Sequence, residues 1–169
     1  MSKRKYYGKY RGVVVNNIDP EQRGRVQVRV PDVAELLPPW AMPCVPIAGM
    51  QSGMFAVPNI GSDVWVEFEQ GDPSYPICVG GFWGSAAELP ALALLTPAAV
   101  PAITFQTPLQ NGLTISDVPG PKGGIMLKSA GGAMIVVNDT GIYIQNGKGA
   151  IITLIGPAVT INNGALEVT

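Results

Sequence analysis

The last 46 residues, from Gly124 to Thr169, contain short apolar bursts that recur about every eight residues and are separated by Gly, Asn and Pro. This repeat is too short for a helical solenoid, whose units run roughly 20 residues or more. Each burst carries two apolar residues at positions i and i+2, which is one face of a short strand. The segment therefore predicts six strands, whose inward-facing residues are Ile125, Leu127, Met134, Val136, Ile142, Ile144, Ile152, Leu154, Val159, Ile161, Leu166 and Val168.

Six such strands from one chain give a narrow ribbon with one apolar face and two unpaired edges. A ribbon of this kind is marginally stable or prone to aggregation when it stands alone in water. Three copies would solve the problem by closing into a triangular prism with every apolar face inside. We therefore predict a homotrimer whose core is formed by the twelve residues above, with a prism length of about 30 Å at about 4.8 Å per strand.

Residues 1–85 predict a different kind of domain, a small closed barrel of about five antiparallel strands. The run DVWVEFEQ, which begins at Asp63, alternates so that Val64, Val66 and Phe68 share one face. The high Gly and Pro content, 21 and 16 residues, suits many short strands and turns. We place the strands at Tyr10–Val15, Arg25–Val30, Ala41–Ile47, Asp63–Gln70 and Pro76–Phe82.

Residues 86–118 differ in composition from both neighbours, since Ala, Leu, Pro and Thr dominate and only Glu88 and Asp117 are charged. A free linker is normally more polar than this. We therefore predict an extended linker that lies along apolar surface. The resulting domain division is 1–85, 86–118 and 119–169.

The charges of the first 85 residues are segregated. Residues 1–30 have a net charge of +6, and residues 31–85 carry six acidic residues and no basic one. The pattern indicates complementary surfaces, within the fold or towards a partner, although ordinary solvated charge is an alternative. The basic start has no apolar run behind it, so we expect no signal peptide and synthesis in the cytoplasm.

The residue types argue against catalysis and metal binding. The chain has no histidine, which excludes a Ser-His-Asp triad and histidine metal sites, and its two cysteines are far apart in sequence. Glu67 and Glu69 fall on one predicted strand face at a separation near that of glycosidase carboxylates, but we interpret them as surface residues. The Gly147–Gly149 stretch lacks the spacing of a phosphate loop. We predict no catalytic, cofactor or metal site, and no enzyme activity.

Two alternatives remain from the residues themselves. One is a protein that binds single-stranded nucleic acid through the basic residues of positions 3–29 and Tyr6, Tyr7 and Tyr10. The other is a cell-wall-degrading enzyme that uses Glu67. The acidic residues of positions 31–85 cancel the basic charge, and neither alternative gives the repetitive C-terminal segment a role.

Three motifs in the first domain occur in a recognisable order. The run GVVVNNIDPEQRGRVQVRVP from Gly12 to Pro31 resembles the start of the OB-fold domain in central spike proteins of contractile tails. The runs PNIGSD from Pro58 and VEFEQGDPSYPICVG from Val66 resemble later parts of the same domain, and residues 120 onwards resemble the family's triple-stranded β-helix. The matching motif residues, which we interpret as structural, are Gly12, Asp19, Pro20, Gly24, Arg25, Gly61, Gly71, Asp72, Pro73 and Gly80.

The family includes baseplate spikes of contractile-tailed phages, valine-glycine repeat proteins of type VI secretion, and spikes of R-type pyocins and of extracellular contractile injection systems. The resemblance implies an all-β homotrimer in which an N-terminal OB-fold barrel is followed by an intertwined triple-stranded β-helix. It also implies a structural, membrane-puncturing role in a baseplate that contacts the target cell envelope transiently.

The same resemblance implies two protein partners besides the chain's own copies. One is a trimeric baseplate hub, for which we suggest Lys3, Arg4, Lys5 and Lys9 as contact residues because of their charge. The other is a separate conical tip protein of the Pro-Ala-Ala-Arg type at the C-terminal end. Some spikes in the family carry a lysozyme domain or an iron-holding histidine tip, and neither has a counterpart in this sequence. No nucleic-acid partner is expected.

Overall fold

Short strands joined by turns make up both units of the chain, Met1–Ala86 and Ala87–Thr169. The structure is a computed structural model that describes residues 4–33 and 38–168, with residues 167 and 168 described by their backbone alone. The helical segments within these residues are 3₁₀ turns of three residues. The fold is therefore all-β, as the sequence predicts.

The first unit is built around a closed five-stranded barrel with the order β1-β2-β3-β7-β6. Every pairing in the barrel is antiparallel except that of β3 with β7, which is parallel and was not predicted. A small hairpin of β4 and β5 is inserted between β3 and β6. The strands are β1 (Tyr10–Asn16), β2 (Val26–Arg29), β3 (Trp40–Pro43), β4 (Ala48–Gly49), β5 (Ser52–Gly53), β6 (Asp63–Phe68) and β7 (Pro76–Gly81).

The barrel core consists of the inward-facing residues of these alternating strands. Val64 and Val66 of β6 are almost fully buried, and Phe68 packs against the same cluster. The alternation predicted for this strand is therefore confirmed. The other buried members are Val14, Val26, Val28, Val30, Ala41 and Cys78.

The second unit is one eight-stranded sheet in which each strand pairs with the next along the chain. All pairings are antiparallel. Its last six strands coincide with the six predicted apolar bursts, which confirms the strand prediction for this segment. The strands are β8 (Ala102–Gln106), β9 (Gly112–Ser116), β10 (Gly124–Lys128), β11 (Met134–Asn138), β12 (Gly141–Gln145), β13 (Ile151–Ile155), β14 (Ala158–Ile161) and β15 (Leu166–Val168).

The first two strands of this sheet lie inside the predicted linker, so the extended linker of residues 86–118 is wrong as a description of residues 102–116. These residues, AITFQ and GLTIS around a turn, have the same i, i+2 alternation as the later strands. The part before Ala102 contains two 3₁₀ turns and contacts the sheet of the same unit. Leu92 is only 3% exposed, its N–H donates to the Gln106 side chain, and the Thr96 hydroxyl bonds that of Ser116.

Candidate functional site

One face of the C-terminal sheet is apolar along its whole length. Residues paired across antiparallel strands project to the same side of a sheet, and the register pairs apolar residues with apolar residues from β8 to β15. Each of the strands β8 to β14 contributes two side chains and β15 contributes Leu166, and together they form two parallel columns. The described members of this apolar face are Ile103, Phe105, Leu113, Ile115, Ile125, Leu127, Ile135, Val137, Ile142, Ile144, Ile152, Leu154, Val159, Ile161 and Leu166.

The apolar face is not covered within its own chain. Phe105 is 54% exposed, and Leu127 in the middle of the sheet is 49% exposed. Ten of the fifteen side chains are 36–56% exposed and the other five are less exposed. Together they present on the order of 1,000 Å² of apolar surface, beyond what a soluble monomer normally presents. At about 25 cal/mol per Å², covering it is worth up to about 25 kcal/mol per chain before any cost of association. The face is therefore an association surface.

The opposite face of the sheet is mixed, because it carries polar side chains beside apolar ones such as Met126 and Val136. Thr104 bonds Thr114 through their hydroxyls, and Thr153 bonds Thr160 in the same way. Lys128 lies on this face because it pairs with Met134, away from the apolar columns. Threonine pairs and a lysine tolerate water, so this face is suited to be the outer one.

The register corrects two of the twelve predicted trimer-core residues. Met134 and Val136 pair with Lys128 and Met126 and project to the outer face, whereas their neighbours Ile135 and Val137 belong to the apolar face. The run Met134–Val137 is apolar at four successive positions, so both Met134 with Val136 and Ile135 with Val137 fit an i, i+2 pattern. Only the strand pairing determines which of the two pairs lies on the apolar face. The side chain of Val168 lies outside the described residues, and the sequence analysis missed the apolar residues of β8 and β9.

The apolar face is concave near one lateral edge. An open concavity of about 690 Å³ is lined by Leu127, Ile135, Ile144, Ile152 and Ile161, with turn residues at its rim. Its lining contains no histidine, cysteine or carboxylate that would serve chemistry. We interpret it as space that a second chain fills.

The β1–β2 loop of the barrel is organised by Asp19, whose side chain is 3% exposed. Its carboxylate accepts hydrogen bonds from the backbone N–H groups of Glu21, Arg23 and Arg25 and from the Arg25 guanidinium, with Nη2 to Oδ1 at 2.7 Å. The Arg25 side-chain bond, which is the largest cause, and the three backbone donors hold the pKa of Asp19 far below its usual range, although burial by itself raises it. Gly24 closes the loop with φ of 75°, as its glycine identity predicts.

The other motif residues are spread over the barrel. Gly12 lies in β1 against β2, where a Cβ atom would approach Val28 Cγ1 to 2.4 Å. Gly71, Asp72 and Pro73 form the β6–β7 turn. Pro20 is in the Asp19 loop, Gly61 precedes β6, and Gly80 lies in β7. Asp19, Gly24 and Arg25 are thus brought together, whereas the remaining motif residues serve separate turns and contacts.

The basic residues suggested for hub contact are in different environments. Arg4 and Lys5 are exposed, and the Arg4 guanidinium stacks over the Tyr6 ring at 5.3 Å. Lys9 forms an exposed ion pair with Glu67, with 2.6 Å between Nζ and Oε1. Part of the basic charge of residues 1–30 is therefore paired with an acidic residue of the same unit. Lys3 lies outside the described residues.

The residues weighed for catalysis are not arranged as a pair. Glu67 is in β6 and is engaged by Lys9, whereas Glu69 begins a 3₁₀ turn beyond the end of that strand. Among residues 4–33 and 38–168, no group of three or more Cys, Asp or Glu side chains is placed to hold a metal ion. In the same part of the chain, no helix is long and apolar enough to cross a membrane.

Comparison with known proteins gives two matches, which cover most of the first unit and the eight-stranded sheet of the second. Residues 10–83 match the family model of the type VI secretion system/phage-baseplate injector OB domain, which begins at the first residue of β1. Residues 102–167 match the phage baseplate V C-terminal trimerisation domain, which begins at the first residue of β8. No curated protein matches the chain. The second match assigns β8 and β9 to the same domain as the six later strands.

Proposed function

We propose that this chain, which belongs to the phage baseplate V family of injector spike proteins, forms the homotrimeric central spike of a contractile tail baseplate or contractile injection system. The observation that carries the proposal is the apolar face, a surface of fifteen described Ile, Leu, Val and Phe side chains that is uncovered in one chain. The match to a trimerisation domain supports three copies as its cover.

Three sheets that turn their apolar faces towards a common axis form a triangular prism with a dry interior. Eight strands at about 4.8 Å each give a prism about 38 Å long, somewhat longer than six strands imply. Strand pairing within each chain resists stretching along the sheet, and close packing of the six apolar columns resists bending. These properties suit a part that transmits a push. The intertwined β-helix of the sequence analysis stays a prediction.

The mechanism we propose is mechanical. Sheath contraction drives the tube forward, and the narrow prism concentrates the force on a small area of the target envelope. No chemical step is required of the chain. The two-column architecture supports this role, because an interior filled with side chains leaves no channel that water or a substrate would occupy.

The two ends of the spike meet different partners in this proposal. The barrel docks on the trimeric hub through its N-terminal segment, where Arg4 and Lys5 are exposed. The tip protein of the Pro-Ala-Ala-Arg type binds at β15, which is the edge strand of the sheet and offers backbone groups for pairing. Trimer formation depends on neither of these two contacts.

A localisation experiment tests the function. Particles assembled with the native chain are compared by electron microscopy with particles assembled with a Val137→Asp chain, which cannot cover its apolar face. We expect density for the spike on the tube axis below the baseplate in the first case and its loss in the second. A chain that is absent from native particles, or that lies off the axis, contradicts the proposed function.

A further inference from the structure

The barrel has two chemically different ends. Strands β1, β3 and β7 run towards one end and β2 and β6 run away from it, as their pairings require. The N-terminal residues lie at the other end, where the Tyr6 N–H donates to the Gly71 carbonyl of the β6–β7 turn. The end at which β7 finishes, which we call the exit end, carries the β1–β2 loop, residues 44–62 and the start of the connection to the C-terminal sheet.

The β4–β5 hairpin and the adjoining loops expose apolar side chains at the exit end. Residues 38–62 contain no charged side chain. Met50 at the tip of the β4–β5 hairpin is 94% exposed, and Phe55 is 73% exposed. Ile47, Ile60 and Ile18 of the adjoining loops are also exposed. These five residues, the exit-end patch, form a surface that an isolated barrel has no reason to present.

The patch is held in place by defined contacts. The Met54 N–H donates to the Ile47 carbonyl at 3.0 Å, which closes the hairpin. The Asn17 amide donates to the Pro58 carbonyl at 3.0 Å, so the β1–β2 loop is tied to the segment before β6. Phe55 rests against Gly24, where a Cβ atom would come within 3.0 Å of its ring. An exposed surface that is fixed in this way is prepared for a partner.

We propose that the exit-end patch packs against the exit end of the barrel in a second copy of this chain, within the spike trimer. The chain leaves the barrel from this end, so trimerisation of the C-terminal sheets tethers three exit ends together at high effective concentration. The five residues of the exit-end patch carry no charge, so charge repulsion between the patches of two copies does not oppose their contact. The inference rests on the proposed function because it needs the trimer.

The size of the patch fits an auxiliary contact. Five exposed side chains supply several hundred Å², which is less than the roughly 800 Å² per partner of a stable independent interface. The patch therefore does not hold copies together by itself. It adds order to a trimer whose association is provided by the apolar face, and it orients the barrels for docking.

Methionine oxidation measures this contact directly, because a covered thioether reacts slowly with hydrogen peroxide. The oxidation rate of Met50 is compared between the wild-type trimer and the Val137→Asp chain, and the rate of half-buried Met42 in β3 is the internal control. We expect Met50 to react at least about tenfold more slowly in the trimer, and Met42 to react equally in both. Equal Met50 rates overturn the inference.

A second variant keeps the test decisive if the Val137→Asp chain does not fold. Met50→Lys adds a charge to the contact, and Tyr75→Lys adds one at the opposite end, where Tyr75 is 61% exposed. We expect both chains to remain trimers, but only Met50→Lys to speed the oxidation of Met54 severalfold. Unchanged Met54 oxidation in Met50→Lys overturns the inference.

The outcomes also separate this inference from the proposed function. A wild-type chain with the mass of a monomer contradicts the function itself. A trimer in which Met50 oxidises as fast as in the monomer contradicts the exit-end contact alone. If the oxidation of Met50 then slows only after assembly into a baseplate, another baseplate protein covers the exit-end patch.

Discussion

Val136 and Val137 form a matched pair for testing which face of the C-terminal sheet is buried in the trimer. They are adjacent residues of the same type in β11, and they project to opposite faces because Val137 pairs with Ile125 while Val136 pairs with Met126. We predict that Val137→Asp prevents trimer formation and that Val136→Asp permits it. The two substitutions change composition and charge identically.

The expected size of the effect follows from burial of charge. Val137 is 41% exposed in one chain and would be enclosed in the trimer together with its two symmetry copies. An ionised carboxylate costs several kcal/mol to bury after relaxation, so three cost more than about 10 kcal/mol. At 1.4 kcal/mol per decade this weakens association by about seven orders of magnitude. Asp at position 136 loses β-propensity and the partial burial of the valine within its own chain, about 1–3 kcal/mol, but is not enclosed in the trimer.

The assay is light scattering after size exclusion at pH 7. We expect Val136→Asp to elute at three times the 17.7 kDa chain mass, and Val137→Asp to appear as monomer or as aggregate. Near pH 4 part of the Val137→Asp population has a neutral carboxyl group, so some trimer should return. A trimeric Val137→Asp together with a dissociated Val136→Asp would refute the assignment of the faces.

Two further predictions concern the barrel. Because the pKa of Asp19 is depressed in the folded state, its contacts with Arg25 stabilise the fold above the unfolded-state pKa of about 3.9 and are lost as the pH falls through the lower folded-state pKa. The thermal unfolding midpoint should therefore drop between about pH 5 and pH 2 in the wild type and less steeply in Asp19→Asn. Equal slopes in the two proteins would show that Asp19 does not stabilise the fold in this way. Gly12→Ala should destabilise the barrel by about 1–3 kcal/mol because its Cβ would meet Val28 at 2.4 Å, whereas Gly81→Ala, whose Cβ meets nothing closer than 3.5 Å, should cost less in the same denaturant titration.

Most strands of both units could be predicted from the sequence because short apolar runs with a period of two are bounded by turn residues. DVWVEF has one apolar face at a period of two, and the structure buries that face. The six C-terminal bursts each contain one such pair and are bounded by Gly or Asn turns. Local pattern determines the structure where only one alternation is apolar.

Other features depended on information that the local pattern does not contain. The Met134–Val137 run is apolar at every position, so its face is set by its neighbours through register. The parallel pairing of β3 with β7 joins strands more than thirty residues apart in sequence, and no turn between them signals it. Strands β8 and β9 are not predicted because they adjoin the Ala-, Leu- and Pro-rich residues 86–101 and, like them, carry almost no charge.

In the Asp19 loop the sequence predicts the turn but not the hydrogen bonds that the Asp19 carboxylate accepts. The run DPEQRGR predicts a turn, which the structure has. The role of the carboxylate as acceptor for three backbone N–H groups and one guanidinium requires the folded loop geometry. An aspartate six residues before an arginine and next to a proline is a usable signal for such a loop in related sequences.

Sedimentation equilibrium of the wild-type chain tests the central claim most directly. The claim is that the apolar face of the C-terminal sheet is covered by two further copies of the same chain. The account predicts a single species with three times the 17.7 kDa chain mass, without dissociation on dilution. A stable, soluble species of 17.7 kDa would contradict it, because that chain would keep its apolar face exposed to water.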